Sequence, residues 1–147
     1  DVVVVGWDGG LTYAALRRAA LLVQRGARLV ATNDDATLPA PDGLWPGAGA
    51  ILAAVVTASG GVPLVVGKPH RTLLEVVAAA AGDGPVLAIG DRLETDVAGA
   101  AAMGWDSALV LTGAARREDV AGSGQRPTYV VDSIADLVAV QGEGRRG

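Results

Sequence analysis

Polar side chains follow several short apolar runs in this sequence, and three of them have types that suit chemistry. Lys68 lies in the motif GKP at residues 67–69, and Asp91 and Asp96 lie in GDRLETD at residues 90–96. Magnesium prefers oxygen ligands and is typically held by one or two carboxylates together with substrate phosphate. A lysine ammonium is a compact charge suited to a phosphoryl oxygen. These residue types therefore favour a site for a divalent cation and a phosphate group.

Each of these residues also has an ordinary structural interpretation. Asp96 would cap the following helix, Asp91 would be a turn residue, and Lys68 would be a solvated residue before a helix that begins near a proline. The pattern alone leaves both interpretations open. His70 is the only histidine, and its position predicts a surface residue at a helix N-terminus rather than a general base.

Strand-like runs alternate with helical patterns along the chain, and this alternation decides where the polar residues lie. Apolar runs predict strands at residues 2–5, 29–32, 64–66, 86–89, 108–111 and 129–131. Helical spacing predicts helices at residues 11–24, 48–59, 72–81, 95–103 and 133–140, and a Pro-rich loop is predicted at 33–46. Such alternation is typical of an α/β fold with a mostly parallel sheet, in which ligands bind beyond the carboxyl ends of the strands.

Two Gly-containing motifs are interpreted as structural. Asp8 and the two glycines after it predict a turn, because no partner carboxylate accompanies Asp8. The motif PGAG at residues 46–49 is neither a dinucleotide fingerprint nor a P-loop. It predicts a helix entry with close packing.

Composition excludes several classes of protein. The 147 residues carry a net charge of −4 and a mean hydropathy of +0.37, so neither wholesale disorder nor a basic field for nucleic acid or anionic lipid is expected. With no Cys and one His, thiol catalysis and multi-histidine metal sites are excluded. No apolar run approaches the roughly 20 residues that cross a bilayer. The lack of cysteine and of a leader sequence predicts a cytoplasmic protein.

Taken in order, the motifs resemble the C-terminal part of a haloacid dehalogenase (HAD) superfamily phosphatase. More narrowly, they resemble class IIA, the NagD-like, p-nitrophenyl phosphatase and phosphoglycolate phosphatase group. GKP and GDRLETD are highly specific as a pair. The supporting matches are VVVGWD at 3–8, ATNDD at 31–35, PGAG at 46–49, LVLTG at 109–113 and PTYVVDS at 127–133.

The resemblance implies a Rossmann-like HAD core, a three-layer α/β/α arrangement around a mostly parallel sheet, and an α/β cap domain. Residues 1–66 would be the C-terminal part of the cap, and residues 67–140 the C-terminal half of the catalytic core. Residues 141–147 are predicted to form a flexible tail. Because the chain opens at Asp1 inside an apolar run, we expect it to be a piece of a longer protein.

The resemblance also assigns roles. Lys68 would stabilise negative charge during catalysis, Asp91 would be a direct Mg²⁺ ligand, and Asp96 would orient Lys68 or a metal-bound water. The substrate-facing loop of the cap would contain Thr32, Asn33 and Asp35. A cap-mediated homodimer is implied as well.

The implied function is that of a magnesium-dependent phosphatase acting on a small phosphorylated metabolite such as glycerol 3-phosphate, phosphoglycolate, a sugar phosphate or a nucleotide. Its nucleophile would be an aspartate of an Asp-x-Asp-Gly motif, which forms an aspartyl phosphate that water hydrolyses. That motif does not occur in these 147 residues, so we expect the chain alone to be inactive. The alternative is a non-catalytic α/β module that binds a phosphate or a nucleotide.

Overall fold

The structure is a computed structural model that describes residues 1–139, and the chain divides into two units. The first unit is Asp1–Gly67 and the second begins at Lys68. This division lies one residue after the boundary expected from the sequence. The predicted tail at 141–147, and the last residue of the helix predicted at 133–140, lie outside the described residues.

The first unit is built on a parallel sheet of three strands. Its elements in chain order are β1 Val2–Val5, α1 Tyr13–Gln24, β2 Arg28–Ala31, β3 Thr37–Ala40, β4 Gly43–Pro46, α2 Ala48–Ser59 and β5 Pro63–Val65. The parallel sheet has the order β1-β2-β5. Its core consists of alternate residues of β1 and β2 and two residues of α2, and α1 packs against this cluster. The buried residues are Val3, Val5, Leu29, Ala31, Leu52 and Val55. In the described unit Val2 and Val4 on the other face of the sheet are exposed.

A hairpin occupies most of the segment predicted as a Pro-rich loop. Strands β3 and β4 pair antiparallel, with Leu38 opposite Trp45, so the loop prediction is wrong for these residues. The indole Nε1 of Trp45 donates a hydrogen bond to Asp42 Oδ1 at 2.6 Å. Both strands contain a proline, and a two-stranded ribbon tolerates this because each strand has an edge where no N–H donor is required.

The second unit contains another three-stranded parallel sheet. Its elements are α3 Arg71–Ala81, β6 Leu87–Gly90, a π-helical turn Leu93–Val97, α4 Ala98–Met103, β7 Asp106–Val110, α5 Asp119–Gly122, β8 Tyr129–Val131 and α6 Ile134–Ala139. The strand order is β6-β7-β8. The fully buried side chains Leu93 and Val97 of the π-helical turn pack against Leu109 of β7. This contact fixes the turn that follows β6 against the middle strand of the sheet.

The predicted α/β class with parallel sheets is confirmed, because all strand pairs apart from the hairpin are parallel in the described residues. The helix predicted from residue 95 begins earlier, with the π-helical turn at Leu93. The short helix α5 has no counterpart among the predicted elements. Within residues 1–139 no helix is long and apolar enough to span a membrane.

Candidate functional site

Lys68 and Asp96 form an ion pair in the second unit. Lys68 Nζ lies 2.5 Å from Asp96 Oδ1. The side chain of Asp96 is only 9% exposed, whereas that of Lys68 is 50% exposed. The Asp96 side chain is therefore nearly buried, whereas half of the Lys68 side chain is accessible to solvent and to a ligand.

The other oxygen of Asp96 accepts two backbone hydrogen bonds from the turn after β6. Asp96 Oδ2 accepts from Asp91 N at 3.2 Å and from Arg92 N at 3.1 Å. Asp96 is thus the common partner of Lys68 and of the backbone that carries Asp91. The structure brings together the three residues that the sequence singled out in GKP and GDRLETD.

Asp91 is held by the loop that follows β7. Its Oδ2 accepts a hydrogen bond from Ala114 N at 2.8 Å, and its carbonyl accepts one from Ala115 N at 3.0 Å. In the described part of the chain, no hydrogen bond to Oδ1 is found. Asp91 therefore has one oxygen committed to the protein and the other available to a ligand.

Two glycines make this geometry sterically possible. A Cβ on Gly90 would overlap the Asp96 carboxyl group, and a Cβ on Gly113 would overlap the Asp91 carboxyl group. Both carboxylates lie directly against backbone that has no side chain. Gly90 and Gly113 are therefore parts of the site that sequence reasoning missed, although both glycines are visible at strand ends.

The π-helical turn sets the direction of the Asp96 side chain. Arg92 O accepts hydrogen bonds from both Asp96 N and Val97 N, which widens the first turn. The Asp96 side chain then returns to Arg92 N at the helix start, as the acidic residue of a capping box does. The capping interpretation of Asp96 is thus correct, and it coexists with the Lys68 ion pair. Single π-helical turns are frequent at functional sites.

The donor chemistry fits Asp91 as one ligand of a magnesium ion. Among residues 1–139 there is no group of three or more His, Cys, Asp or Glu side chains that could hold a metal. Mg²⁺ keeps several waters and is usually bound by one or two carboxylates plus substrate phosphate. The oxygen of Asp91 that the loop leaves available meets that requirement for one ligand position.

An open cleft of about 520 Å³ lies on the second unit beside the turn. It is lined by Arg92, by Glu94 and its neighbour in the π-helical turn, and by residues of the segment from Ala114 to Ser123, including Glu118. Neither Lys68 nor Asp91 lines this cleft. We therefore define the candidate site by the hydrogen bonds around Asp96 and not by this concavity.

The residues expected in the substrate-facing loop lie in the first unit, after β2. Thr32 N donates to Val5 O at 2.9 Å, and Asn33 Oδ1 accepts from Asp35 N at 3.2 Å. Thr32 and Asp35 are exposed and Asn33 is half-buried. The three side chains thus belong to one tight turn at the carboxyl end of a parallel strand.

The PGAG motif packs beneath this turn. Gly47 is the N-cap of α2, and Gly49 N donates to Asp35 O at 2.8 Å. A Cβ on Gly47 or Gly49 would overlap the backbone carbonyls of residues 34 and 35. The predicted helix entry with close packing is confirmed, and so is the turn at Asp8, whose Oδ1 accepts from Gly10 N at 2.8 Å.

His70 occupies the N-cap position of α3 and is exposed. Its predicted place at a helix N-terminus is confirmed. Its side chain makes no capping hydrogen bond to that helix.

Comparison with known proteins finds a matching family model over residues 65–137, described as HAD-hydrolase-like. Two curated relatives extend the similarity over most of the chain. One is 5'-nucleotidase YutF of Bacillus subtilis, with 32% identity over 140 residues, 94% of this chain and 55% of that protein. The other is D-glycerol 3-phosphate phosphatase of Mycobacterium tuberculosis, with 41% identity over 139 residues, 93% of this chain and 39% of that protein.

A solved structure agrees with both units. A hypothetical protein of Pyrococcus horikoshii matches 95% of this chain with a TM-score of 0.91 and 40% identity, and the match covers 54% of that chain. The present chain thus spans about half of the length of the proteins that it matches, and less of the mycobacterial enzyme.

Proposed function

The chain belongs to the HAD-like hydrolases, in the NagD-like class IIA, and from this premise we propose that it is the C-terminal part of a magnesium-dependent phosphatase. The substrate class is a small phosphorylated metabolite. Relatives named for a nucleotide and for glycerol 3-phosphate support that class. Within it, phosphoglycolate and sugar phosphates are further candidates.

One observation carries the proposal: a single carboxylate, Asp96, connects the only lysine of the chain to the backbone of Asp91. The chain has twelve Lys and Arg residues, and eleven of them are Arg. Arginine presents a planar fork, whereas lysine presents a point charge. All the other cationic residues of the chain are arginines, and only position 68 is a lysine. This choice supports a role for Lys68 that needs a point charge.

In the proposed reaction, Lys68 stabilises negative charge on the phosphoryl group, and Asp96 keeps the ammonium aimed at it. Preorganised charges of this kind, directed to where negative charge develops, are often the largest contribution to catalysis. Asp91 would hold Mg²⁺, which supplies charge neutralisation and alignment of the phosphoryl group when bound. The attacking aspartate would come from an Asp-x-Asp-Gly motif outside these 147 residues.

We assign the two units to the two domains of such a phosphatase. The unit up to Gly67 would be the C-terminal part of the cap, and the unit from Lys68 onward would be the C-terminal half of the catalytic core. Thr32, Asn33 and Asp35 would contact the part of the substrate beyond the phosphate. A homodimer through the cap and a cytoplasmic location stay predictions from the sequence.

The test is steady-state phosphatase kinetics on the full-length protein with Mg²⁺. Asp91→Asn keeps an oxygen acceptor for Ala114 N but removes the charge, so we expect turnover to fall by at least about 100-fold. Asp83→Asn is the matched control, since Asp83 is exposed in the loop before β6 and lies outside the site. Unchanged turnover in Asp91→Asn would overturn the metal assignment.

The competing function is a phosphate- or nucleotide-binding module without catalysis. A binding module would also need the backbone turns and Lys68 to hold a phosphate group, but it would need no nucleophile. Finding an Asp-x-Asp-Gly motif upstream in the gene, together with release of inorganic phosphate by the full-length protein, would favour the enzyme. Binding of a phosphorylated metabolite without release would favour the module.

A further inference from the structure

The segment from Lys68 to Leu74, which leads into α3, contacts the helical segment from Leu93 to Met103 at three successive points. Lys68 pairs with Asp96 at the first point. At the second, Gly99 packs closely against Pro69 and Leu74. At the third, Arg71 Nη1 donates a hydrogen bond to Ala102 O at 2.5 Å. We call this set of contacts the α3–α4 seam.

Lys68 cannot fix its own direction. Its side chain is long and half exposed, so holding it in one rotamer costs conformational entropy. An ammonium group is also a point charge on a flexible stem, so the ion pair holds the charge beside Asp96 without fixing the rest of the lysine side chain. The position of the ammonium group therefore depends on where the backbone at the start of α3 lies.

Helix α3 has few contacts that could hold this backbone. None of its residues is buried, and the exposed apolar residues Leu73, Val76 and Val77 lie along it. Packing in the described unit fastens it mainly to α4. Gly99 allows that approach, since a Cβ there would lie 3.1 Å from Leu74 Cδ1 and would crowd the seam.

Arg71 supplies the directional contact of the seam. Its acceptor, Ala102 O, is in the last turn of α4, where carbonyls lack partners within the helix and the helix dipole favours a cation. Its Nε donates to Glu75 Oε1 at 3.1 Å, one turn along α3. The Arg71 guanidinium group is thus held through Nε by Glu75 of α3, while its Nη1 donates a hydrogen bond to α4.

We propose that Arg71 is a positioning residue that keeps Lys68 in register with Asp96. As a statement about catalysis this rests on the proposed function, but the geometric part stands without it. The ordinary alternative is a solvated Arg–Glu pair one turn apart on an exposed helix, which stabilises that helix only weakly. That alternative does not require the contact with Ala102 O, which joins two helices.

The test uses the fact that Lys68 is the only lysine. Isotope-labelled lysine in the 147-residue chain gives one side-chain ammonium signal in NMR, observable when a hydrogen bond slows proton exchange. Arg71→Met keeps the apolar stem and removes the donors, and we expect it to abolish the signal, as Asp96→Asn does. Arg126→Ala is the matched control, because Arg126 also donates to backbone carbonyls, those of Val120 and Gln125, but away from the seam.

Each outcome decides the proposal. Loss of the signal in Arg71→Met, with amide spectrum and melting temperature matching those of Arg126→Ala, supports it. A retained signal in Arg71→Met overturns it, and so does a wild-type chain that has the amide spectrum of a folded protein but gives no Lys68 signal. If the chain does not fold without the rest of the protein, the kcat and KM of full-length Arg71→Met decide the proposal. If Arg71→Met does not fold, Arg71 supports the whole unit, and a specific positioning role is wrong.

Kinetics of the full-length protein extend the test to catalysis. We expect Arg71→Met to lower kcat by about 10-fold with KM little changed, less than the ~100-fold that a misplacement of about 1 Å can cost. A change in KM alone would contradict positioning of Lys68. A wild-type full-length protein that releases no phosphate would instead contradict the proposed function, and it would leave the NMR result valid.

Discussion

The candidate site owes its shape to residues that carry no side chain as much as to those that carry charge. Gly90 and Gly113 let the carboxyl groups of Asp96 and Asp91 lie against the backbone. In that position Asp96 receives hydrogen bonds from two backbone N–H groups while it pairs with Lys68. A methyl group at either glycine would compete for the space that a carboxylate now fills.

We therefore expect Gly90→Ala to displace the Asp96 carboxylate. Overpacking of a close contact typically costs about 1–3 kcal/mol of unfolding free energy, and the displaced carboxylate would release Lys68. Denaturant unfolding of the chain measures the first effect, and the Lys68 ammonium NMR signal reports the second.

Gly84→Ala is the control for this substitution. Gly84 lies in the same unit before β6, its backbone is not left-handed, and no atom of the described residues lies within 4 Å of the position that a Cβ would take. A Gly→Ala change at a compatible position stabilises by about 0.4–1 kcal/mol through the unfolded state. If Gly90→Ala were as harmless as Gly84→Ala, the close packing of Asp96 on Gly90 would be refuted.

At the scale of residues, the sequence predicts which side chains form the candidate site but not how they are held. Lys68, Asp91 and Asp96 stand out through residue type and motif spacing. The roles of Gly113 and Ala114 depend on a contact between the loops after β6 and β7, which are more than 20 residues apart in sequence. Such long-range pairing is set by strand order, and a single sequence does not encode strand order locally.

At the scale of elements, the π-helical turn reconciles the two sequence interpretations of Asp96. Arg92 O accepts from the N–H groups of both residues 96 and 97, and the widened turn directs the Asp96 carboxylate both to the helix start and to Lys68. A residue that only capped the helix would not need the lysine. A residue that only held the lysine would not need the two backbone donors.

The two roles of Asp96 can be separated by two substitutions. Asp96→Asn retains an oxygen acceptor for the backbone donors of Asp91 and Arg92, whereas Asp96→Ala leaves them unpaired. A fully buried unpaired donor costs about 1–3 kcal/mol. Because the hydrogen bond from Asp91 N is half-buried and that from Arg92 N is exposed, we expect Asp96→Ala to be less stable than Asp96→Asn by about 1 kcal/mol, the lower end of that range.

Turnover of the full-length protein should behave differently, with both Asp96 variants losing most activity because both lose the charge that holds Lys68. Thermal or denaturant unfolding measures the stability difference, and phosphate release measures the activity. Equal stability of the two variants would argue against the capping role. Normal turnover in Asp96→Asn would argue against the catalytic one.

The hairpin shows where element prediction from this sequence fails. Residues 37–46 contain prolines in both strands, which signals a loop when strands are expected inside a sheet. The two strands instead form a separate two-stranded sheet, which contains the cross-strand pair Leu38–Trp45 and the Trp45–Asp42 hydrogen bond. By contrast, the predicted bounds of α2 match the observed ones, Ala48–Ser59, because glycines mark both of its ends.

At the scale of the whole molecule, each unit has a sheet that its own helices cover incompletely. Val2 and Val4 are exposed on β1 of the first unit, and Leu87 and Ile89 are exposed on β6 of the second. Parallel sheets are normally covered on both faces. Continuous apolar runs predict buried strands at these positions, and the described helices of the two units do not bury them completely.

The candidate site is incomplete as well, and this determines what we expect of Mg²⁺ binding by the 147-residue chain. The sequence contains no Asp-x-Asp-Gly motif, and Asp91 is one carboxylate rather than part of a metal-binding group of three within residues 1–139. A ligand present at no more than its dissociation constant stabilises a protein by less than about 0.5 kcal/mol. We therefore expect Mg²⁺ to leave the melting temperature of the chain almost unchanged.

We also expect the 147-residue chain to release no phosphate from p-nitrophenyl phosphate with Mg²⁺, because its charges can bind and orient a phosphoryl group but none is in place to attack it. The Asp91→Asn chain, prepared in parallel, is the control: equal release from both preparations marks a contaminating phosphatase. Release that depends on Mg²⁺ and on Asp91 would show that a nucleophile lies within these residues. The assignment of the attacking aspartate to the rest of the protein would then be wrong.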